Sequence, residues 1–120
     1  METPPFTYIL QQRLTHFASL EPGWHGGQGK TPSAATAVHA RALLRQLNRQ
    51  FPGVHMAWPV ITLAGRIEAE WDSFCFTVDG KTCKVEVWEP QEKTITYQLP
   101  EQIGLVAALF GELVASFPRP

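Results

Sequence analysis

Alternation of hydrophobic and polar residues dominates the middle of the chain and predicts a sheet. Residues 67–72 alternate between apolar side chains and carboxylates, which is typical of a strand with one buried and one solvated face. Similar alternation runs through residues 74–78 and 83–87, on either side of an Asp-Gly pair that favours a hairpin turn. Residues 57–63 and 95–99 complete the series. The pattern predicts an antiparallel meander of about five strands.

The turns between these runs predict which residues face each other across the sheet. Two-residue turns are expected at Ala64-Gly65, at Asp72-Ser73 and at Asp79-Gly80. In each case the apolar partners share one face, because a pairing that slips by one residue would send the whole set to solvent. The predicted partners are Trp58 with Trp71, Val60 with Ala69, Ala69 with Phe76, Phe76 with Cys83, and Val85 with Tyr97.

Helical spacing of apolar residues flanks the predicted sheet. Thr3 and Ser33 are placed to cap two helices before it, and Pro100 is placed in the first turn of a third helix that ends at about Phe117. The chain is therefore predicted to be an α+β protein with two N-terminal helices, the meander sheet and a C-terminal helix, all helices packing on one sheet face. The inward residues predicted for the first two helices are Phe6, Ile9, Leu10, Leu14, Phe17 and Leu20, then Val38, Leu43, Leu44, Leu47 and Phe51.

Length and composition are those of one folded α+β domain spanning residues 1–120. Hydrophobic residues make up 44% of the chain and charged residues 18%, so a packed core rather than disorder is expected. A net charge of -1 provides no overall attraction to nucleic acid or to anionic lipid. The longest apolar stretch, residues 103–117, is short for a membrane span and contains Glu112. We expect a cytoplasmic protein that does not bind membranes.

The two cysteines are predicted to be free thiols. The expected hairpin places Cys83 on the apolar face, whereas Cys75 lies on the opposite face, across from Lys84. Cysteines on opposite faces of a sheet cannot meet the geometry of a disulfide. We therefore expect Cys83 in the core, Cys75 outside it and a reducing compartment around the protein.

A glycine-rich segment at residues 23–33 has part of the pattern of a phosphate-binding loop. Such a loop needs a glycine at its start, a strand before it and a helix that opens at its lysine, so that N–H groups converge on phosphate. Here Trp24 takes the place of the first glycine, the preceding residues are predicted to be helical, and Pro32 follows the threonine. We interpret the segment as a turn in which Trp24, His25, Gly26 and Lys30 have an open role. Three roles are open for His25: a base, a pH-sensitive contact or, as the simplest interpretation, a solvated turn residue.

Three arginines lie at successive i, i+4 positions of the second predicted helix. Arg41, Arg45 and Arg49 would form one basic ridge, which is suited to phosphates or to an acidic protein. Three arginines make too few phosphate contacts for strong non-specific binding to DNA, so nucleic acid is not the expected partner and a solvent-facing helix side is the simpler interpretation. The outer sheet face should instead be acidic.

The third predicted helix carries more apolar residues than one packed face requires. Leu105, Leu109 and Leu113 form a second stripe beside the stripe expected to face the core. Either the first helix covers this stripe, or the stripe is an interface through which the protein self-associates or binds a partner. Trp88 is a second candidate contact, because its position in the alternation places a large aromatic residue on the polar sheet face.

One sequence of motifs resembles a group of small uncharacterised bacterial proteins. The chain has Gly23-Trp24 followed by a glycine cluster and a Ser33-capped helix, then a strand that reads Gly65-Arg66-Ile67-Glu68-Ala69-Glu70-Trp71. Members of the group carry Trp-Asp-Gly-x-Gly-Ala before a helix and then a Gly-x-Ile-x-x-Glu-Trp strand. His25 stands where the aspartate would be. The resemblance implies a bacterial or mobile-element origin, supports the fold and leaves the function open.

No residue pattern predicts a catalytic site. The four histidines have no metal-ligand spacing with one another or with the cysteines, and we expect neither a metal nor a cofactor. The sequence therefore favours a non-catalytic protein-interaction module, such as an adaptor, an inhibitor or an immunity-type protein. The alternative is a small binder of nucleotide or nucleic acid that uses the glycine-rich turn and the arginine ridge.

Overall fold

A computed structural model describes residues 5–89 and 91–115 of the chain. These ranges contain three helices and a five-stranded antiparallel sheet, so the α+β prediction is confirmed. In chain order the elements are α1 (Phe6–Ser19), α2 (Ala34–Gln50), β1 (Val60–Ile61), β2 (Ile67–Glu70), β3 (Phe74–Asp79), β4 (Thr82–Val87), β5 (Lys93–Gln98) and α3 (Ile103–Val114).

The strands follow one another across the sheet in the order β1-β2-β3-β4-β5, which is the predicted meander. Between β2 and β3 the predicted pairing of Ala69 with Phe76 is confirmed. Between β3 and β4 the prediction is wrong by two residues, because Phe76 pairs with Val85 and the turn consists of Gly80 and Lys81. Gly80 adopts a φ of 60°, a conformation that favours glycine at the first position of such a turn.

The pairing of β4 with β5 is also displaced by two residues, since Tyr97 faces Cys83 and not Val85. A shift of two residues returns each side chain to the same face, so the predicted faces of β3, β4 and β5 are retained.

The pairing of β1 differs from the prediction by one residue, which reverses its faces. Val60 lies opposite Glu68 rather than Ala69, and Ile61 lies opposite Ile67. The reason is the turn: Thr62 N–H donates to the carbonyl oxygen of Arg66 (2.9 Å), so three residues form the loop instead of two. As a result Val60 is exposed, whereas Ile61 packs against the core.

The helices mostly follow the predicted spacing. Ser33 caps α2, because its Oγ accepts a hydrogen bond from the N–H of Thr36 (3.1 Å). Thr3, the cap predicted for α1, and Phe117, the predicted end of α3, lie outside the described residues. Val38 was predicted to face inward and is 61% exposed, because the buried side of α2 passes through Thr36 and the positions that follow at helical spacing, Ala40, Leu43, Leu44 and Leu47.

The helices and one face of the sheet enclose a single hydrophobic core. Its centre is an aromatic cluster in which the ring of Phe110 from α3 lies 5–6 Å from each of its neighbours. The other members of this aromatic cluster are Phe51, Trp71, Phe74 and Phe76. Thr36 connects α2 to the sheet, because its buried Oγ1 accepts a hydrogen bond from the N–H of Gly80 (2.8 Å). The opposite face of the sheet carries the polar side chains.

Candidate functional site

The polar face of the sheet, called the outer face below, is built from β2, β3, β4, β5 and the residue before β2. The alternation of each strand places every second side chain on it, and the strand pairing aligns those side chains in rows across the sheet. The three rows are Arg66, Asp79, Thr82 and Gln98; then Glu68, Thr77, Lys84 and Thr96; then Glu70, Cys75, Glu86 and Thr94.

Carboxylates outnumber cations on the outer face. Arg66 pairs with Asp79 (Nε to Oδ2, 3.1 Å), and Lys84 pairs with Glu86 (Nζ to Oε1, 3.3 Å). Both cations of the three rows are thus bound to carboxylates, while within the described ranges Glu68 and Glu70 form no ion pair. The outer face therefore presents uncompensated negative charge, as the sequence indicated.

A groove of about 240 Å³ crosses the first two of these rows on the outer face. Its lining combines the two paired cations with hydroxyl groups, and it contains neither a histidine nor a cysteine. The arrangement suits hydrogen bonds to a partner that lies across the sheet. The lining residues are Arg66, Thr77, Asp79, Thr82, Lys84 and Thr96.

Cys75 lies in the third row, and its environment differs from the prediction. It occupies the outer face as expected, but it faces Glu86 instead of Lys84 and is only 5% exposed. Its short side chain lies between the longer side chains of Glu70 and Glu86, which flank it in the same row. Burial, reinforced by the charge of Glu68, raises the pKa of the Cys75 thiol to about 11.

Cys83 lies in the core, as predicted, and both cysteines are free. Burial raises the pKa of its thiol to about 12, with a smaller contribution from Cys75. Neither thiol is therefore suited to act as a nucleophile near neutral pH.

We expect both thiols to resist modification in the folded protein. Their ordinary pKa of 9.0 rises to about 11 for Cys75 and about 12 for Cys83, so thiolate forms only in strongly alkaline solution. The thiols of the unfolded chain ionise at lower pH than those of the folded protein, so the free energy of unfolding should fall between pH 9 and about 12. Titration with a thiol reagent should detect two thiols after unfolding without reductant. Rapid labelling of the folded protein at neutral pH would contradict this prediction.

Trp88 directly follows β4 and is 38% exposed. Its N–H donates to the carbonyl oxygen of Ser73 (2.9 Å), which continues the ladder between β3 and β4 by one position. That position lies on the outer face, in line with Glu86 and Lys84. A large aromatic side chain thus borders the acidic rows, where the sequence predicted it.

The arginine ridge is exposed, and it lies on the other side of the molecule. Arg41, Arg45 and Arg49 occupy the solvent side of α2, whose buried side packs against β2 and β3. None of the three forms an ion pair with a carboxylate in the part of the chain that the structure describes. The sheet separates this ridge from Trp88, so the structure does not bring these candidate contacts into one site.

Of the two alternatives for the leucine stripe on α3, the structure favours burial, but the elements in contact with this helix are chiefly α2 and β5 and not α1. Leu109 is 7% exposed and belongs to the core, and Leu113 packs against the core. Leu105 alone among the three is exposed, at 56%. The contacts of α3 with α2 and β5 account for the burial. An interface through Leu109 and Leu113 would require the core to open.

The glycine-rich segment is a compact loop between α1 and α2. Gly23 N–H donates to the carbonyl oxygen of Gly29 (2.6 Å), and the indole N–H of Trp24 donates to that of Lys30 (2.9 Å). Helix α2 begins only at Ala34, so the geometry of a phosphate-binding loop is not formed. His25 is exposed beside Trp24, with ring centroids 5.8 Å apart.

The loop is attached to the turn between β1 and β2. Lys30 N–H donates to the carbonyl oxygen of Leu63 (2.9 Å), and a side chain at Gly65 would press against the carbonyl oxygens of Lys30 and Thr31. Gly26 has a φ of 57° and open space around it. The segment therefore has a structural role in joining the helices to the sheet edge.

Replacing Gly29 with alanine should destabilise the protein by about 1–3 kcal/mol, the usual cost of overpacking. A Cβ at this position would overlap the indole ring of Trp24, so the ring would have to leave its place and release Lys30. The free energy of unfolding in urea measures the effect. Gly53→Ala is the matched control, because a Cβ there meets nothing within 4 Å and stability should be unchanged or slightly higher. Equal stability of the two variants would contradict the prediction.

A cluster around Trp58 was missed by sequence reasoning. The indole stacks on Phe6 with ring centroids 5.1 Å apart, and the guanidinium of Arg13 lies 5.4 Å from the indole centroid. Arg13 Nη1–H also donates to the carbonyl oxygen of Pro59 (3.2 Å). The sequence placed Trp58 opposite Trp71, but the described strand begins only at Val60. The proline at 59, which lacks an N–H for a ladder, was the available signal.

The chain has no detected relative among known proteins. Comparison with protein-family models, with curated proteins and with solved structures gives no match. The resemblance to small bacterial proteins therefore stays a prediction. The described residues contain no group of three or more His, Cys, Asp or Glu side chains able to hold a metal ion. None of the helices that the structure describes combines the length and apolar character needed to cross a bilayer.

Proposed function

We propose that the protein is a non-catalytic protein-interaction module whose outer face binds a basic surface of another protein. An adaptor, an inhibitor and an immunity-type protein all work in this way. The observation that carries the proposal is a sheet face of four strands that none of the described helices covers and that carries more carboxylates than cations.

The chemistry of the outer face supports a basic partner. Glu68 and Glu70 form no ion pair within the described residues, so a lysine or arginine of a partner can approach them without breaking an existing pair. Trp88 at the border supplies an aromatic side chain of the kind that dominates binding energy at interfaces. Hydroxyl groups of Thr82 and Thr96 add hydrogen-bonding partners between the charges.

The test is a pull-down from the native host that compares charge-reversal variants. Glu68→Lys with Glu70→Lys reverses the unpaired charges of the outer face, and we expect it to lose the partner that the wild type retains. Glu21→Lys with Glu101→Lys is the matched control, because it changes the net charge equally at exposed positions outside the three rows of that face. The partner should be basic and its binding should weaken with salt. Equal retention by both double variants would refute the proposal.

A second candidate is supported by the arginine ridge. Arg41, Arg45 and Arg49 form an exposed row without carboxylate partners in the described ranges, which is suited to the phosphates of a nucleotide or nucleic acid. Fluorescence anisotropy with a labelled DNA oligonucleotide tests it. Binding that is lost in the triple Arg→Gln variant would favour this candidate, as would calorimetric binding of ATP that is lost in Lys30→Ala. No binding in either experiment would exclude it.

We also propose a bacterial or mobile-element origin and a cytoplasmic location. The origin rests on the resemblance in the glycine-rich segment and in residues 65–71. The location is supported by the two free thiols, which a reducing compartment maintains.

A further inference from the structure

The two edges of the sheet are protected very differently. β1 is two residues long, which limits what can pair with it. β5 has six residues, pairs with β4 without interruption and contains one charged residue, Lys93. A long and regular edge strand of this kind is a template for pairing with another chain.

The hydrogen bonds of the neighbouring residues reveal which groups of β5 point outward. Leu99 N–H donates to the carbonyl oxygen of Lys81 (2.6 Å), so the odd-numbered residues of β5 direct their backbone groups toward β4. The even-numbered residues, Thr94, Thr96 and Gln98, direct theirs to the free edge.

One end of this edge is closed by the protein itself. Gln98 N–H donates to Oε1 of Gln102 (2.7 Å), and Gln102 N–H donates to the carbonyl oxygen of Gln98 (2.8 Å). Both outward groups of Gln98 are thus satisfied. Within the described residues, the outward N–H and C=O groups of Thr94 and Thr96 have no such partner.

We propose that β5 pairs with β5 of a second copy, antiparallel about a two-fold axis at Ile95, so that Thr94 faces the partner's Thr96. This is the register in which all the open groups of both strands bond to each other, since the two threonines are two residues apart. Ile95 then faces the partner's Ile95 on the helix side. The result is one continuous sheet of ten strands, and it does not depend on what the outer face binds.

The same two-fold axis brings opposite charges of the two copies together beside the edge. In this register Lys93 faces the partner's Tyr97 on the helix side, and α3, which carries Glu112, packs over the same strand. Burial, Cys83 and the charge of Glu112 together raise the pKa of Tyr97. Lys93 and Glu112 are both exposed and form no ion pair within the described ranges. A second copy therefore brings a lysine toward each glutamate, twice by symmetry.

Helix α3 adds apolar surface next to the same edge. It packs over β5, and its exposed residues include Gly104, Leu105 and Ala108. A two-fold axis perpendicular to the sheet keeps both copies of α3 on one side of the seam.

The mass in solution is the first test. Across a concentration series, sedimentation equilibrium should give the wild type a mass approaching twice the 13.4 kDa of one chain. Thr96→Pro removes an outward N–H without removing a bond to β4, and should weaken the dimer by roughly tenfold or more. Thr96→Val keeps the backbone donor and should leave the dimer intact. A wild type that stays monomeric throughout, or a dimer equally strong in both variants, would overturn the proposal.

Cross-linking tests the register without relying on a variant that weakens folding. In the proposed pairing Ile95 and the partner's Ile95 form a close, non-hydrogen-bonded pair, so Ile95→Cys should yield a disulfide-linked dimer when diamide oxidises the two thiols. Thr94→Cys and Thr96→Cys should not, because those positions face each other and not themselves. The native thiols are buried and do not interfere. A dimer linked through Thr96→Cys instead would refute the register.

Charge exchange provides a third measurement. Lys93→Glu and Glu112→Lys should each weaken the dimer by about threefold or more, and the double variant should restore it. Additive weakening in the double variant would mean that the two residues do not meet across the axis.

Discussion

Replacing Leu109 with glutamate should unfold the protein. Leu109 is 7% exposed and belongs to the same core as Phe110 and Val106, so the new carboxylate would lie among apolar side chains. A buried carboxylate without a partner costs several kcal/mol, a large part of the roughly 5–15 kcal/mol that stabilises a domain of this kind. Circular dichroism in the near and far ultraviolet should lose the signals of the folded state at temperatures where the wild type is folded.

The matched control is Leu105→Glu in the same helix. Leu105 is 56% exposed, so in the monomer the same substitution places the charge in water and should change the free energy of unfolding by about 0.5 kcal/mol or less, measured at protein concentrations too low for self-association. If the two variants were equally stable, Leu109 would have to be a surface residue, as in the interface alternative for the leucine stripe. A folded Leu109→Glu variant would thus restore that interpretation.

The course of the sheet was predictable because its strands obey a period of two. The alternation identified the inner face of β2, β3 and β4, and it placed Phe76 and Cys83 on that face. A period of two cannot distinguish pairings that differ by two residues, so the register of β4 depended on the turn. The conformation of Gly80, which begins that turn, is not visible in the hydrophobic pattern.

The register of β1 failed for a related reason with a larger consequence. A loop of three residues instead of two moved Val60 to the outer face and Ile61 to the core side. Nothing in the alternation of residues 57–63 reveals the extra loop residue. The hydrogen bond from Lys30 to Leu63 involves a segment distant in sequence, which local patterns do not predict.

The candidate contacts were predictable where exposure follows from position in an element. Arg41, Arg45 and Arg49 are exposed because helical spacing places them away from the buried side of α2, and Trp88 follows the alternation of β4. The sequence left open whether Leu109 is covered or forms an interface, because the width of the buried side of α3 depends on how closely α2 and β5 approach it. Packing between elements decides such positions, and it has no signature in one helix alone.

Replacing Phe110 with alanine should reduce the free energy of unfolding by about 3–5 kcal/mol. Its ring is fully buried and lies within about 6 Å of four other aromatic rings, which would face a cavity after the change. Alanine is the best helix former, so the loss cannot come from the helix itself. Urea denaturation should give a lower midpoint with an unchanged slope.

Two control variants separate the cavity from the loss of apolar area. Phe110→Leu keeps most of the volume, so it should cost about 1–2 kcal/mol and lie between the wild type and the alanine variant. Leu105→Ala removes an exposed side chain of the same helix and should cost about 0.5 kcal/mol or less. If Phe110→Ala cost no more than Leu105→Ala, the aromatic cluster would not be the element that joins α3 to the sheet, and the contacts of Val106 and Leu109 would have to hold that helix in place.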